Sequence, residues 1–438
     1  MHDTACLEYA SRLLKKAPTH SAMAELVKTA VDRNEQWRGR ECINLVAAES
    51  PTSPAVRSLL ASEIGTRASG GDIGPNNRFF SGMKYIDEVE SLCVELLKKA
   101  FSTRYADHRL MGGMAAVLTA YSAMTKPGDA IMTAPIIRGG DTSNRADGPP
   151  GVIGLTIHDI PFHHHSSDID LDRFRTIARK LQPKIVGLGM TLSLFPLPLA
   201  ELKSIITEWG GKLYFDAAHQ LGLICSGFFQ DPLAEGADVM TGSSGKTFSG
   251  PQGGIILWND DLLAESIANT IFPTLTGSHQ INRVAAMAIA ATEMLEYGTL
   301  YMEQVVKNAR CLAKHLENNG VLTLYRDRGY TKTHQIIIDS KPAKSGRDVA
   351  QNLEQANIIT NEMPLPWDKN NEHPTGIRLG TVEITRKGMK EPEMQWIAEQ
   401  ISNVILNKKN PLMVARDVSD FMKNYRTVYY CHENGLPS

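Results

Sequence analysis

Short apolar runs recur through the middle of the chain, at residues 130–134, 152–157, 185–189, 212–216, 239–243 and 254–258. They lack the strict alternation of a half-exposed strand, which predicts strands buried on both faces. Between them, residues 171–181 and 199–209 space their apolar side chains three and four apart, as a helix packed on one side requires. Strand and helix alternating at this spacing predict a mainly parallel sheet flanked by helices. Upstream, a short strand near Arg109 runs through Gly112-Gly113-Met114-Ala115 into a helix ending at Met124. Pro54 falls at a first helical position, starting a helix through Leu59, and residues 85–101 have helical periodicity. The glycine-rich stretch 69–77 predicts a loop, and residues 1–40 are amphipathic, with Ser21 as the expected cap of a helix toward Trp37. After Asp260 the pattern is helical through Asn319, including an alanine-rich face at 282–297. Beyond Gly320, strands at 321–325 and 335–339, a helix near 347–355 and two terminal helices predict a smaller α+β lobe. The expected domains are an N-terminal helical arm (1–45), a large α/β domain (46–300) and a small C-terminal α+β domain (301–438).

Composition narrows the field without naming a function. At 438 residues the chain is long for one core, which agrees with two lobes. Lys and Arg number 46 against 48 Asp and Glu, so a net charge of -2 predicts neither a nucleic-acid nor a membrane surface. The six cysteines have no metal-ligand spacing and no secretory leader precedes them, so a reduced, cytoplasmic setting is expected. The longest apolar stretch, 185–199, is interrupted by Thr191, Ser193, Pro196 and Pro198 and is too short to span a bilayer. His163, His164 and His165 are adjacent and cannot share a face, so they read as a solvated loop and no metal site is expected.

The chemistry concentrates between Lys212 and Gly254. Asp216 ends an apolar strand, at the edge where open α/β sheets bind ligands. The next strand delivers Lys246 in the small-residue setting Gly242-Ser243-Ser244-Gly245-Lys246-Thr247, whose backbone leaves room for a bulky ligand. An acid at one strand end and a lysine at the next suit pyridoxal 5'-phosphate: the lysine forms a Schiff base with the aldehyde, and the carboxylate keeps a proton on the ring nitrogen. Each residue alone is equally compatible with a helix cap or a solvated charge. Gly112 and Gly113, between a strand end and a helix start, expose backbone amides that suit a phosphate.

Six blocks then bring the chain close to a known family. Residues 43–50 (Ile-Asn-Leu-Val-Ala-Ala-Glu-Ser), Arg78-Phe79-Phe80-Ser81-Gly82 with Tyr85-Ile86-Asp87, Phe215-Asp216-Ala217-Ala218-His219, Gly245-Lys246-Thr247 with Gly250-Pro251 and Gly253-Gly254, Phe272-Pro273, and residues 376–381 (Gly-Ile-Arg-Leu-Gly-Thr) resemble, in order and spacing, the serine hydroxymethyltransferase family of fold-type I pyridoxal-phosphate enzymes. The resemblance implies that Lys246 anchors the cofactor, with Asp216 at its ring nitrogen and Thr191 and His219 near its phenolic oxygen. Gly112, Gly113 and Met114 would form the phosphate loop, where the family has serines at two of the three positions, leaving hydroxyl contacts to Ser243 and Ser244. Arg378 would grip the substrate α-carboxylate. The stretch containing Gly277 and Ser278 resembles the segment that closes the phosphate pocket of the other subunit, implying a homodimer with shared sites and a small-molecule amino-acid substrate.

Several family positions are rebuilt. Asp72 stands for the glutamate acid/base, and Asp141 for the histidine that stacks on the cofactor ring. Gly70 and Phe80 replace two active-site tyrosines, Ala48 a serine at the carboxylate, and Met363 the asparagine that meets folate. Loss of these groups points to a folate-independent enzyme taking an α-amino acid larger than serine. Three reactions remain open at this point. One is aldol or transaldol chemistry at the Cα–Cβ bond, with Asp72 or Asp141 taking the β-hydroxyl proton. The others are elimination of a β-substituent from an S-substituted cysteine and decarboxylation with oxidative deamination. All three occur among specialised relatives, including those of antibiotic pathways. The parent hydroxymethyl transfer and a non-catalytic, cofactor-binding relative are the remaining alternatives.

Overall fold

In the computed structural model, which describes residues 2–163, 168–340, 345–369 and 371–437, the chain is built on a seven-stranded sheet. Across the sheet the order is Tyr105–Asp107, Gly254–Trp258, Val239–Ser243, Lys212–Asp216, Ile185–Gly189, Ala130–Thr133, Thr156–Asp159. The last five run parallel, while Gly254–Trp258 and Tyr105–Asp107 pair antiparallel at one side. From Ala130–Thr133 the chain steps outward to Thr156–Asp159, then returns to Ile185–Gly189 on the other side and continues away. The order therefore reverses between Ala130–Thr133 and Ile185–Gly189, and the crevice beyond their carboxyl ends is where such sheets receive ligands.

All five residues of Ile185–Gly189 and of Gly254–Trp258 are buried, as continuous apolar runs predict for strands covered on both faces. Helices such as Leu171–Leu181 and Leu199–Ile206 supply the cover, turning Phe174, Ala178, Leu202 and Ile206 into the same core as Val186, Leu188, Leu213 and Phe215. A second core holds Ile336, Ile338, Leu353, Ile377, Leu379 and Ile397 around a three-stranded antiparallel sheet ordered Asn361–Met363, Gly376–Gly380, Gln335–Asp339. The 38-residue helix Ile281–Asn318 serves both cores: Val284 to Val306 pack in the first, Ala309 to Leu316 in the second. This shared helix ties the two sheets together. The helices Thr4–Lys16 and His20–Asn34 bury no residue, so Leu7, Leu14, Val27 and Val31 stay exposed.

Three local expectations fail, each for a physical reason. The start of the 152–157 run is not a strand: Pro149 and Pro150 occupy the first helical positions of Pro149–Ile153, Gly154 ends that helix at φ 82°, and the strand begins only at Thr156. Residues 321–325 form no strand; a single bridge, Thr323 to Ile338, is all that pairs, and Tyr325 turns left-handed at φ 62°. The cap of the second helix is Thr19, whose hydroxyl accepts from the Ala22 amide, two residues before Ser21. His164 and His165 lie outside the described residues. No helix among the described residues is long and apolar enough to cross a membrane.

Candidate active site

Two tight turns build the crevice at the sheet's reversal point. After Ala130–Thr133, Gly139 takes φ 86° and its carbonyl accepts from the amides of Thr191 and Leu192, which follow the neighbouring strand. The Asp141 amide donates to Gly189 O, and the Asp141 carboxylate caps the next turn by accepting from Ser143 N at 2.8 Å. Asp216 is opposite Gly189 on one side and Thr241 on the other, so its carboxylate opens at the same edge. Gly189 has to lack a side chain, because a Cβ there would lie 1.9 Å from the Asn144 amide that reaches Asp216.

A cavity of about 140 Å³ results, lined by Gly113, Met114, Val117, Asp141, Ser143, Met190, Asp216, Ala218, His219, Ser243 and Lys246. It is narrow enough for Lys246, Asp216 and His219 to face one ligand. Lys246 sits in a loop closed on itself by Ser244 N to Gly253 O and Gly250 N to Ser244 O. Thr247 pins that loop to the His219 turn, donating to His219 O at 3.0 Å and accepting from Gly222 N at 2.9 Å. At the cavity's other end the helix Gly113–Met124 starts without any side-chain cap. Its first turn presses against the strand end, since a Cβ on Gly113 would meet Ser243 Oγ at 2.2 Å.

The electrostatics are those of buried charges awaiting partners. Burial raises Asp216 to about 6; Asp141 pushes the same way, while Lys246 and the hydrogen bonds from Ala218 N and Asn144 pull back. Burial lowers Lys246, opposed by Asp216 and Asp141. His219 is held neutral by burial and by the positive charges of Lys246 and Arg378. Arg378 is brought down to about 10 by burial, partly offset by Asp141, and stays charged at neutral pH.

Arg378 reaches the cavity from the small lobe, on the middle strand of its sheet. Its guanidinium donates to Thr191 O (2.5 Å) and Thr191 Oγ1 (2.9 Å) and to Asn361 Oδ1 (3.3 and 3.2 Å), and it lies 3.5 Å from His219 Nε2. Asn361 is Arg378's direct partner in the antiparallel register, which puts both side chains on one face. Nothing local in the sequence marks Asn361, Asn144 or Gln335, because their partners, Arg378, Asp216 and His219, are brought to them only by the tertiary fold.

Not every expected residue joins them. Ser244 is fully buried and its hydroxyl donates to Pro251 O at 2.6 Å, so of the two serines only Ser243 faces the cavity. The Thr191 hydroxyl accepts from Arg378. Asp72 is ion-paired with Arg109 at 2.5 Å and its side chain is 56% exposed, away from the cavity of its own chain. Gly70 lies against Phe79, Phe80 and Gly277 O, and Phe80 lines a separate hollow with Arg78 and Asp87. Gly277 and Ser278 are exposed. Ala48 is half-buried beside Ala47, whose carbonyl accepts from His334, and Met363 is buried among Leu192, Leu194, Phe195, Ile337 and Leu365.

These residues fit pyridoxal phosphate on structural grounds. A carboxylate fully enclosed and lifted to about 6 is stabilised by a ring cation, an uncapped helix start offers amides to a phosphate, and a buried lysine between them can take up an aldehyde. A family model described as serine hydroxymethyltransferase matches residues 21–401. Among curated proteins, the serine hydroxymethyltransferase of Methanopyrus kandleri is 41% identical over 412 residues, 94% of this chain and 95% of that one. That of Pyrococcus furiosus is 42% identical over 428 residues, 96% and 99% of the two chains. A crystal structure of L-threonine transaldolase from Pseudomonas fluorescens in the internal aldimine state superposes with a TM-score of 0.86 at 26% identity, covering 96% of each chain.

Proposed function

The chain belongs to the serine hydroxymethyltransferase family of fold-type I, pyridoxal-phosphate-dependent transferases, and from that premise we propose that it makes and breaks the Cα–Cβ bond of a β-hydroxy-α-amino acid by aldol or transaldol chemistry. The observation carrying this reading is the convergence of Lys246, Asp216 and Asp141 on one cavity with Arg378 at its rim. Bound there, the cofactor supplies an aldehyde that condenses with an amine and a cationic ring that draws negative charge from Cα.

The chain's own residues supply the rest. Arg378 holds the substrate carboxylate, and its planar fork fixes which Cα bond stands perpendicular to the ring. Asp216 would hold the ring nitrogen, whose positive charge would bring the carboxylate back to the ionised form. Asp141 accepts the β-hydroxyl proton as the Cα–Cβ bond breaks, the electron pair stays with Cα and an aldehyde departs. Lys246, whose ammonium is weakened by burial, then returns a proton to Cα, giving glycine. Asp141 rather than Asp72 fills the base role within one chain, because Asp72 is engaged with Arg109 outside the cavity. The position of Asp72, Gly70, Gly277 and Ser278 away from their own cavity supports a homodimer in which they complete the neighbour's site.

Two features favour an aldehyde over a folate-type carrier as the one-carbon or longer partner. Met363 offers only a thioether, sealed in an apolar cluster, and the chain superposes on a transaldolase. A second reading, serine-to-glycine hydroxymethyl transfer, is favoured by relatives of that name at about 40% identity. The test is to give the holoenzyme threonine, serine and an S-substituted cysteine, with and without tetrahydrofolate. Acetaldehyde and glycine from threonine, independent of tetrahydrofolate, are expected. Serine turnover that requires tetrahydrofolate would establish the second reading instead, and pyruvate with free thiol would point to β-elimination.

A further inference from the structure

Beside the cavity stands a residue that touches neither cofactor nor substrate and yet governs one that does. We infer that Gln335 is a positioning residue: it fixes His219 as the neutral tautomer with its proton on Nε2, so that the imidazole presents a hydrogen-bond donor to the cavity. The inference rests on the reading of that cavity as the cofactor site and adds a role within it.

Gln335 is completely buried at the start of Gln335–Asp339, and every polar group of its amide is used. Its Oε1 accepts from Ser193 N at 2.8 Å. Its Nε2 sits 3.1 Å from Thr191 O and 3.1 Å from His219 Nδ1, so each of its two hydrogens has one acceptor. Turning the amide over would set its oxygen against the Thr191 carbonyl and its NH2 against the Ser193 N–H, leaving two repulsive contacts around a fully buried side chain. The Ser193 amide therefore decides the orientation of Gln335. Gln335 in turn decides that His219 Nδ1 is an acceptor.

A neutral imidazole has one N–H, which must then be on Nε2. The charged form is opposed by burial and by the cationic Lys246 and Arg378, against a smaller pull from the Ala47 carbonyl, which favours a proton on the ring, and His334 stacks at 5.9 Å with its own proton affinity pushed down to about 3 by burial. Arg378 NH1 is a donor 3.5 Å from Nε2, against the 3.1 Å of Gln335 Nε2 from Nδ1, and it already has Thr191 O and Oγ1 as acceptors, so it does not claim Nε2 as an acceptor. His219 lines the cavity, so its Nε2–H can meet an anionic oxygen there. The chemistry recognised is an oxyanion on the ligand, held by donation from an uncharged ring.

The test reads the proton directly. In the 15N-histidine-labelled holoenzyme, with the His219 signals identified by their loss in His219→Gln, Nε2 should show the pyrrole-type shift and Nδ1 the pyridine-type shift. The reverse in the wild-type protein overturns the inference without any variant having to fold. In Gln335→Glu the acceptor replaces the donor, and the two nitrogens should exchange roles; unchanged signals would equally refute it. The pH midpoint of the bound cofactor's visible absorbance should rise by about one unit in Gln335→Glu, as expected when a donor to an oxyanion is lost, and an unmoved midpoint would show that Nε2–H does not face the cofactor. A protein that carries no cofactor band would defeat the functional reading while leaving the tautomer measurement intact.

Discussion

Replacing Arg378 by lysine separates substrate grip from cofactor chemistry. Arg378 is 6% exposed and spends its donors on three acceptors, Thr191 O, Thr191 Oγ1 and Asn361 Oδ1, so a substrate carboxylate gains its two-point grip by taking over part of these contacts. A lysine ammonium has three donors radiating from one atom and cannot serve both Thr191 and Asn361 while also gripping a carboxylate in bidentate fashion. At least one charge-assisted bond to the substrate is lost, at roughly 1.5 to 3 kcal/mol, which corresponds to about 10- to 150-fold weaker amino-acid binding. Arg378→Ala removes both, and the expected loss is about a thousandfold or more by the same scale. Both changes leave Lys246 and Asp216 in place, so cofactor content, measured by absorbance after dialysis, should match the wild type. Binding is read by titrating the visible band with glycine and, as a control lacking the carboxylate, ethylamine. Glycine affinity within twofold of wild type in Arg378→Lys, or equal losses for glycine and ethylamine, would refute the assignment of Arg378 to the carboxylate.

Lys246→Ala is expected to lose the borohydride-fixable cofactor band and all turnover; a band that survives reduction and dialysis would identify another lysine as the anchor. For Asp216 the sign follows from its raised affinity for a proton: its contribution to stability is fully present below about pH 4 and is lost as pH rises through about 6. A shift from 3.8 to about 6 is worth roughly 3 kcal/mol, so cofactor-free Asp216→Asn should melt above the cofactor-free wild type at pH 7.5, with the advantage vanishing near pH 4. Loading the cofactor should reverse that order, since only the carboxylate gains from a ring cation; equal melting points in both states would count against Asp216 as the ring partner. Asp72→Asn should leave stability within about 1 kcal/mol, as befits a largely exposed ion pair, and leave cofactor retention unchanged. In mixed dimers carrying Asp72→Asn on one chain and Lys246→Ala on the other, about half of the wild-type turnover is expected if Asp72 serves the neighbour, because one site is then complete; absence of turnover would place Asp72 in the site of its own chain.

The chain's hydrophobic pattern and its short motifs contained much of what the structure displays. Strands Ile185–Gly189, Lys212–Asp216, Val239–Ser243, Gly254–Trp258 and Gln335–Asp339 coincide with the apolar runs, because a strand buried on both faces leaves no room for a polar interruption. Asp216 and Lys246 were legible for the same reason: each stands where such a run ends. The departures at 152–157 and 321–325 arise where turn chemistry outweighs hydrophobicity. Paired prolines start a helix in the first, and a left-handed tyrosine breaks the second.

Side-chain partnership was beyond the sequence's reach. Asn361 meets Arg378 only through strand register, Gln335 meets His219 only when the small lobe's sheet docks on the large one, and Ser244 turns from the cavity only because Pro251 folds back over it. The sequence determined which segments could be strand or helix and which residue types carried chemistry, since periodicity and composition are local properties. The tertiary structure alone decided which of those residues share a dielectric and a hydrogen bond, because both depend on distances between atoms that no local pattern fixes, across as many as 116 residues for Gln335 and His219.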